Sequence, residues 1–464
     1  MFAAAVIALA GVAAPEGTTA RPPKRPSVVV VMTDDQTVEQ MRVMMHVRSR
    51  IGAHGTTFTS SFANFPLCCP SRATFLTGQY AHNHGVLGNT APGGGFRAFR
   101  DRRSLATWLQ DAGYRTALVG KYLSQTPRRY IPPGWSEWYA ASGGTTQRVY
   151  DYTLNQNGRL VEYGMRPRDF KTDVLTTKAV RFIRRQAPRR QPFFLFVAYT
   201  APHGGGPDPS SGRRRDCAHT TKRAPRHRGA FEREPLPRPP NFNERNTSDK
   251  PARLSRRPRM RPRLIREIER RYRCGLESLL SVDEGVRDIV RTLARRNELD
   301  NTLVIFTSDN GLLHGEHRIW TGKDAVYEEV VRVPLVMRGP GIPRGATVTT
   351  PVVNADLAPT IARVARVEPN LRVDGRSLLP LARDPDLGHD RGILIEHRGV
   401  YSAIRTARYL YARHAGGGQE LYDMRADPFQ LRSRHDDPDF AQIRGELAAR
   451  LAELRDCSGR SCRR

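Results

Sequence analysis

The sequence has no Cys-x-x-Cys pair and no cysteine–histidine spacing suited to zinc. It has no nucleic-acid-binding motif and no internal repeat. Past its first residues it has no apolar run long enough to cross a bilayer, so a soluble chain without integral membrane association is expected. Acidic residues are scarce relative to basic ones, 46 Asp and Glu against 75 Lys and Arg, for a formal net charge of +29. Such a balance either solvates the surface or attracts a polyanion, such as nucleic acid or a sulfated polysaccharide. Without a nucleic-acid motif, no nucleic-acid partner is expected. The hydrophobic fraction of 39% supplies a sizeable core and excludes general disorder. At 464 residues the chain exceeds the usual single-core limit, so one large domain and a smaller one are expected.

The chain opens on MFAAAVIALAGVAA, which has the apolar core of a secretory signal but no basic residues before it. Residues 1–26 therefore read as a signal peptide and linker, and the protein as secreted or extracytoplasmic. Six cysteines are present. Cys457 and Cys462 lie five apart in a polar tail and suit a small disulfide loop; Cys217 with Cys274 is a second candidate pair. Cys68 and Cys69 are adjacent, just before Pro70-Ser71-Arg72. Pro70 suits a first helical turn and Ser71 a cap, so a helix is expected over Arg72–Tyr80, with Cys68 near its positive end.

Several strongly apolar runs read as strands buried on both faces: Ser27–Met32, Tyr114–Val119, the run after Pro192, and Asn301–Thr307. Each ends in groups that carry chemistry. The first runs into Asp34-Asp35, the second into Gly120-Lys121, the third into Ala201-Pro202-His203, and the fourth into Ser308-Asp309-Asn310-Gly311. Ligand crevices of open α/β sheets lie at the C-terminal ends of strands. Three carboxylates and an amide there form an oxygen set for calcium or magnesium, and calcium tolerates irregular geometry better. Val330–Met337 reads as a further strand. Helices are expected over Leu105–Ala112, Asp169–Gln186 and Pro262–Asn297. Residues 204–273 hold 21 Lys and Arg against 8 Asp and Glu with many prolines, and read as a long basic, mostly irregular insertion. From about Gly388, ILIEHRG, YSAIRTA, RYLYARH and QELYDM suggest a small antiparallel sheet, closed by a helix over Phe440–Leu454.

The ordered set Cys68-Cys69-Pro70-Ser71-Arg72…Thr77-Gly78, TDDQ, GKYL, APH, SDNG and GKDAVYEEVVRVPL resembles the type I, formylglycine-dependent sulfatases of the alkaline-phosphatase-like superfamily. The likeness covers nearly all of residues 27–430. CCPSR, GKYL and the insertion text look most like the N-acetylglucosamine-6-sulfatase branch. The resemblance implies an α/β fold, an alkaline-phosphatase-like sandwich with a large, mostly parallel central sheet flanked by helices. A small C-terminal α+β subdomain with an antiparallel sheet would follow. The implied divisions are a catalytic domain over 27–385, a C-terminal subdomain over 386–456 and a basic tail over 457–464.

The same resemblance implies that a formylglycine-generating enzyme converts Cys68 to formylglycine before folding. The hydrated aldehyde would attack sulfur, displace the alcohol and expel sulfate as the aldehyde re-forms. Asp34, Asp35, Asp309, Asn310 and the modified Cys68 would hold one divalent cation, calcium or else magnesium. Arg72 would steady the diol, Lys121 and Lys323 would bind sulfate oxygens, and His203 would protonate the leaving alcohol or bind sulfate. Cys69 falls at the variable position and carries no chemistry. Two departures stand out. Leu123 occupies a position where many relatives have histidine. After the metal asparagine the order is Leu312-Leu313-His314-Gly315-Glu316-His317, which leaves open whether His314 or His317 faces the site. The implied reaction is sulfate ester hydrolysis on a sulfated, N-acetylglucosamine-6-sulfate-type or glycosaminoglycan-like sugar. The alternatives are a phosphate or phosphonate ester hydrolase of the same superfamily and an inactive polyanion-binding relative.

Overall fold

The computed structural model describes residues 24–205, 217, 221–388 and 391–463. The expected signal segment lies outside the described residues up to Lys24. The chain forms strands β1 (Ser27–Asp34), β2 (Thr56–Phe58), β3 (Ser61–Phe62), β4 (Arg115–Gly120), β5 (Glu137–Ser142), β6 (Tyr152–Gln156), β7 (Arg159–Tyr163) and β8 (Phe193–Pro202). These are followed by β9 (Thr302–Ser308), β10 (Leu335–Arg338), β11 (Ala346–Val348), β12 (Val352–Val353), β13 (Ile393–His397), β14 (Tyr401–Arg405), β15 (Tyr409–His414) and β16 (Gln419–Asp423).

Ten strands make one sheet in the order β11-β2-β10-β9-β1-β8-β4-β5-β6-β7. Its centre, β9-β1-β8-β4-β5, is parallel throughout. The apolar runs explain this centre. Val28, Val30 and Met32 of β1 face one core and Val29 and Val31 face the other, all at 1% exposure or less. Each such side chain contributes about 1.5–3 kcal/mol by leaving water. A strand apolar on both faces has its place inside a sheet covered by helices on both sides. The helices Cys68–Thr77, Leu105–Asp111 and Leu357–Ala365 cover the first face, and Lys171–Gln186 with the long helix Pro262–Arg295 cover the second. A separate antiparallel sheet, β13-β14-β15-β16, packs against the helix Ala441–Arg455. The fold is thus the α/β sandwich with a small C-terminal antiparallel sheet.

Two local expectations are corrected. The helix begins at Cys68, not Arg72, and Ser71 does not cap it. Leu67 takes the cap position, its carbonyl accepting from the Ser71 amide, while the Ser71 hydroxyl donates to the Asp309 carbonyl. Of Val330–Met337, only Leu335 onward is strand; Glu328–Val331 is a short helical turn. Pro334 has no N–H to give a ladder, and the Val333 amide donates instead to Ser61. Strands β2, β5, β6, β7 and β11 were not foreseen. They flank the apolar strands β9, β1, β8 and β4 on either side, where mixed composition gives a weak strand pattern.

Among the described residues no helix is long and apolar enough to cross a membrane. Cys217–Cys274 and Cys457–Cys462 are disulfides, and Cys68 and Cys69 are free and buried.

Candidate active site

Four adjacent parallel strands bring their C-terminal ends to one edge of the sheet. The register sets Thr33 beside Ser308 and Asp34 beside Pro202, and the Lys121 amide donates to the Ala198 carbonyl. Asp34-Asp35, Lys121, His203 and Asp309-Asn310 therefore converge although they are far apart in sequence. Asp35 adopts a left-handed φ of 73°, uncommon for a residue with a side chain and typical of functional sites. Gly311 follows Asn310 because the Glu329 carbonyl passes where a Cβ would stand. The helix Cys68–Thr77 points its first turn at these strand ends and ends at Gly78, whose φ of 67° favours glycine.

Cys68 Sγ lies 3.4 Å from Asp34 Oδ1 and 3.2 Å from Lys323 Nζ. Lys121 Nζ pairs with Asp34, and Lys323 Nζ pairs with Asp35. Arg72, 1% exposed, holds Asp309 Oδ2 through Nε and a terminal nitrogen, each at 2.9 Å, and donates to the Lys121 carbonyl at 3.0 Å. Asn310 Nδ2 donates to Asp35 Oδ1 at 2.8 Å, and the Asp35 amide donates to Asp309 Oδ1 at 3.2 Å. His203 Nε2 is 3.7 Å from Asp35 Oδ2, and its Nδ1 is 2.6 Å from the Gly204 carbonyl.

Charge dominates this cluster. Burial disfavours ionised Asp34, yet Lys121, His203, Arg72 and Lys323 together hold its carboxyl far below the usual range. Burial and the Asp34 charge push Asp309 up to about 6. Burial and Asp34 also push the Cys68 thiol up to about 12, so an unmodified cysteine is poorly suited to act as a thiolate. Three carboxylates face the three cations Arg72, Lys121 and Lys323. A divalent cation would leave the site positive, and a singly charged sulfate ester would offset part of that charge.

The donor set fits such a cation. Asp34, Asp35, Cys68 and His203 offer ligand atoms that all lie within 4.8 Å of one another. Asn310 Oδ1 is buried without a hydrogen-bond partner, an orphaned acceptor beside three carboxylates. Hard oxygen donors of this kind suit calcium or magnesium. A cavity of about 450 Å³ opens over the cluster, lined by Asp35, Gln40, His203, Arg271, His314, Trp320 and Lys323 among others.

The sulfatase family model matches residues 26–367. The chain belongs to the sulfatase family. A model of the C-terminal region of N-sulphoglucosamine sulphohydrolase also matches residues 315–457. Human N-acetylglucosamine-6-sulfatase is 31% identical, the match covering 95% of this chain and 86% of the human one. A Caenorhabditis elegans protein described as an extracellular sulfatase homologue is 39% identical, over 76% of this chain and 49% of its own length. The chain thus spans about half of that relative. Among solved structures, one in complex with its substrate D-glucosamine-2-N,6-O-disulfate aligns with a TM-score of 0.76 at 25% identity, covering 93% of this chain and 98% of the other. A phosphonate monoester hydrolase of Agrobacterium radiobacter shares the fold, with a TM-score of 0.70 at 20% identity over 93% of this chain and 95% of the other.

For this sulfatase-family chain, the structure brings together all nine residues singled out in the sequence at strand ends, helix start and loop: Asp34, Asp35, Cys68, Arg72, Lys121, His203, Asp309, Asn310 and Lys323. His314 lines the cavity; its Nε2 is buried without a partner, and burial with the nearby Arg271 holds the ring neutral, down to about 4. His317 is buried elsewhere, its Nδ1 2.7 Å from Glu244 and its ring 3.6 Å from that of Tyr327. Cys69 Sγ accepts from the Ser124 amide, a packing role. Gln40, Arg271 and Trp320 are among the cavity residues that escaped sequence reasoning. The spacing of Ile268, Arg271 and Gly275 on one face of the expected helix was a usable signal.

Proposed function

We propose that this chain hydrolyses sulfate esters of a glucosamine-type sugar, using formylglycine at position 68 and one bound calcium ion. The observation that carries this reading is Cys68 at the helix start, touching Asp34 and also Lys323, which lines an open cavity, in a chain of the sulfatase family. When present, the hydrated aldehyde supplies an oxygen nucleophile and the cation offsets charge on the transferring sulfuryl oxygens. Asp34, Asp35, Asp309 and Asn310 would hold that cation.

The chain's own side chains do the rest. Lys323 lies between Cys68 and the cavity and would bind a sulfate oxygen of the incoming ester. Lys121, buried on Asp34, keeps that carboxylate ionised and would meet the group at position 68. Arg72 positions Asp309 and the end of β4 and would steady the diol. With Nδ1–H donated to Gly204, His203 presents Nε2 to the cavity, where it can pass a proton to the leaving alcohol. Asp35, Lys323 and His203 share the cavity floor, so leaving-group and sulfate contacts can be made together.

The disulfides Cys217–Cys274 and Cys457–Cys462 support residence in an oxidising, extracytoplasmic compartment. Residues 27–385 would be the catalytic domain and 386–456 its C-terminal subdomain. Maturation would require a formylglycine-generating enzyme. The test is mass spectrometry of the tryptic peptide spanning Cys68, made in a host with the converting enzyme. A peptide lighter than the cysteine form, by replacement of sulfur with an aldehyde oxygen, is expected. Cys68→Ala should abolish turnover while keeping the fold, and EDTA should remove activity that calcium restores. Faster hydrolysis of an aryl phosphonate than of the paired aryl sulfate would instead favour the phosphonate ester reading.

A further inference from the structure

A second cavity, of about 650 Å³, lies beside the helix Leu357–Ala365 and shares no lining residue with the cavity over the strand ends. It borders the far end of the helix that starts at Cys68. A Cβ on Gly78 would stand 3.2 Å from Pro359 and 3.3 Å from Val373, both part of its wall. At 1.5 Å per residue, that end is about 14 Å along the helix from Cys68. Among the described residues, Arg363, Arg366, Arg376 and Arg463 line this cavity against a single acid, Glu368. The helix dipole favours Arg363 and Arg366, which stand at the C-terminal end of Leu357–Ala365. It does not account for Arg376 and Arg463, which come from other segments. Arg376 Nη2 is buried without a hydrogen-bond partner, and burial with Arg391 nearby works against its charge. An incoming oxyanion would satisfy that donor and offset that charge. The segment 366–376 walls this cavity, and its Leu371 and Arg372 also line a neighbouring one of about 240 Å³. There Arg100 and Arg103 join Arg372, and no described lining residue is acidic. The segment is pinned in place. Asp374, fully buried, accepts from the Tyr80 and Gly459 amides at 2.7 Å each. Arg463 donates to the Val373 carbonyl at 2.8 Å, and Trp108 Nε1 donates to Asn370 at 2.7 Å. A fixed frame therefore displays the arginines, which lowers the ordering cost of binding.

We propose that segment 366–376 and the two cavities beside it bind an extended sulfated polysaccharide, at a site separate from the one that cleaves it. Two adjacent basic cavities suit oxyanions spaced along a chain, whereas a single small ion would occupy only one. The choice of a sulfated chain rests on the sulfated-sugar reading above; the anion site rests on the arginines and the orphaned Arg376 donor. Docking here holds a chain to the protein while its ends are released from the active site, which raises their effective concentration at the catalytic cavity.

The test uses the full-length, calcium-loaded Cys68→Ala protein, which binds without turnover. Calorimetry measures a sulfated decasaccharide and, separately, N-acetylglucosamine 6-sulfate. The variant Arg363→Ala/Arg366→Ala/Arg372→Ala removes three exposed arginines that span both cavities. A charge-matched control, Arg181→Ala/Arg184→Ala/Arg291→Ala, removes three exposed arginines from the groove between the helices Lys171–Gln186 and Pro262–Arg295. The first variant is expected to bind the decasaccharide about tenfold or more weakly, and the control to stay within about twofold of the parent. Both should bind the monosaccharide as the parent does, because neither touches the catalytic cavity. Arg376→Gln should weaken the decasaccharide by about threefold or more without lowering the thermal midpoint, since its Nη2 has no partner to lose. Equal weakening by the two triple variants would reduce the effect to net charge and overturn the inference. A decasaccharide affinity that neither the first variant nor Arg376→Gln changes overturns it as well. Absence of turnover on every sulfate ester by the mature protein would overturn the proposed reaction instead, and the binding comparison would still judge this site.

Discussion

Arg72 and Asp309 are both at or below 1% exposure, and their pairing is what makes a buried carboxylate tolerable at that point. Arg72→Ala leaves Asp309 without its two-pronged partner and is expected to cost about 3–5 kcal/mol, read as a drop in the urea midpoint. A loss below about 1 kcal/mol would show that the pair is not what holds Asp309. His84 behaves in the opposite sense. Its Nδ1 accepts from the Val86 amide and its Nε2 lies 3.0 Å from the Thr74 hydroxyl. Burial, with His82 nearby, depresses it from an ordinary 6.5 to about 3. As pH falls, the unfolded chain takes up this proton first. The stability contributed by neutral His84 is therefore full above pH 6.5 and declines as pH falls towards 3. Urea melts between pH 7 and pH 4.5 should show a falling midpoint, with a shallower fall in His84→Gln.

At the scale of elements, the basic insertion is tied down at both ends. Cys217 is joined to Cys274 on the long helix, closing 57 residues of chain. Lys250 is buried, with Nζ donating to the Gln430 and Leu431 carbonyls, and Arg226 pairs with Asp173 and Glu284. Part of the insertion's charge is thus spent on holding it to the domain. Replacing both cysteines with serine is expected to lower stability by about 4 kcal/mol on loop-closure grounds. Unchanged urea midpoints with and without reductant would dispose of this account. The strand end that carries Lys121 is equally constrained: Gly120 has a φ of 123°, and the Ala198 carbonyl occupies the space of a Cβ.

For the whole molecule, the net charge of +29 sets a long-range field that any anionic substrate meets before it reaches the cavity. If the basic surface captures a polymer, activity on sulfated oligosaccharides should fall with added salt more steeply than activity on a small aryl sulfate. Parallel salt curves would assign the surface charge to solvation alone. The ends of β9, β1, β8 and β4 align at one edge of the sheet, in a fold shared with a phosphonate monoester hydrolase. The sheet edge gathers the acidic and basic side chains, and loops with the long helix wall the cavity above them.

Buried runs such as Val28–Val31 and Leu303–Phe306 determined by themselves that there would be internal parallel strands, because only a strand covered on both faces is apolar at every position. The polar residues closing those runs were legible for the same reason: charge next to a buried run must be held by something. The helix start at Cys68 was legible in kind but not in place, since Ser71 looked like a cap until the Asp309 carbonyl was seen to take its hydroxyl. Edge strands such as Arg159–Tyr163 carried too mixed a composition to read. Tertiary structure alone decided that His314 rather than His317 faces the cavity, because Glu244, Asn241 and Tyr327, from distant segments, claim His317. It alone also set Arg271 of the long helix against Trp320 of a loop 49 residues later. Neither pairing leaves a local pattern, since each depends on segments far apart in sequence packing together.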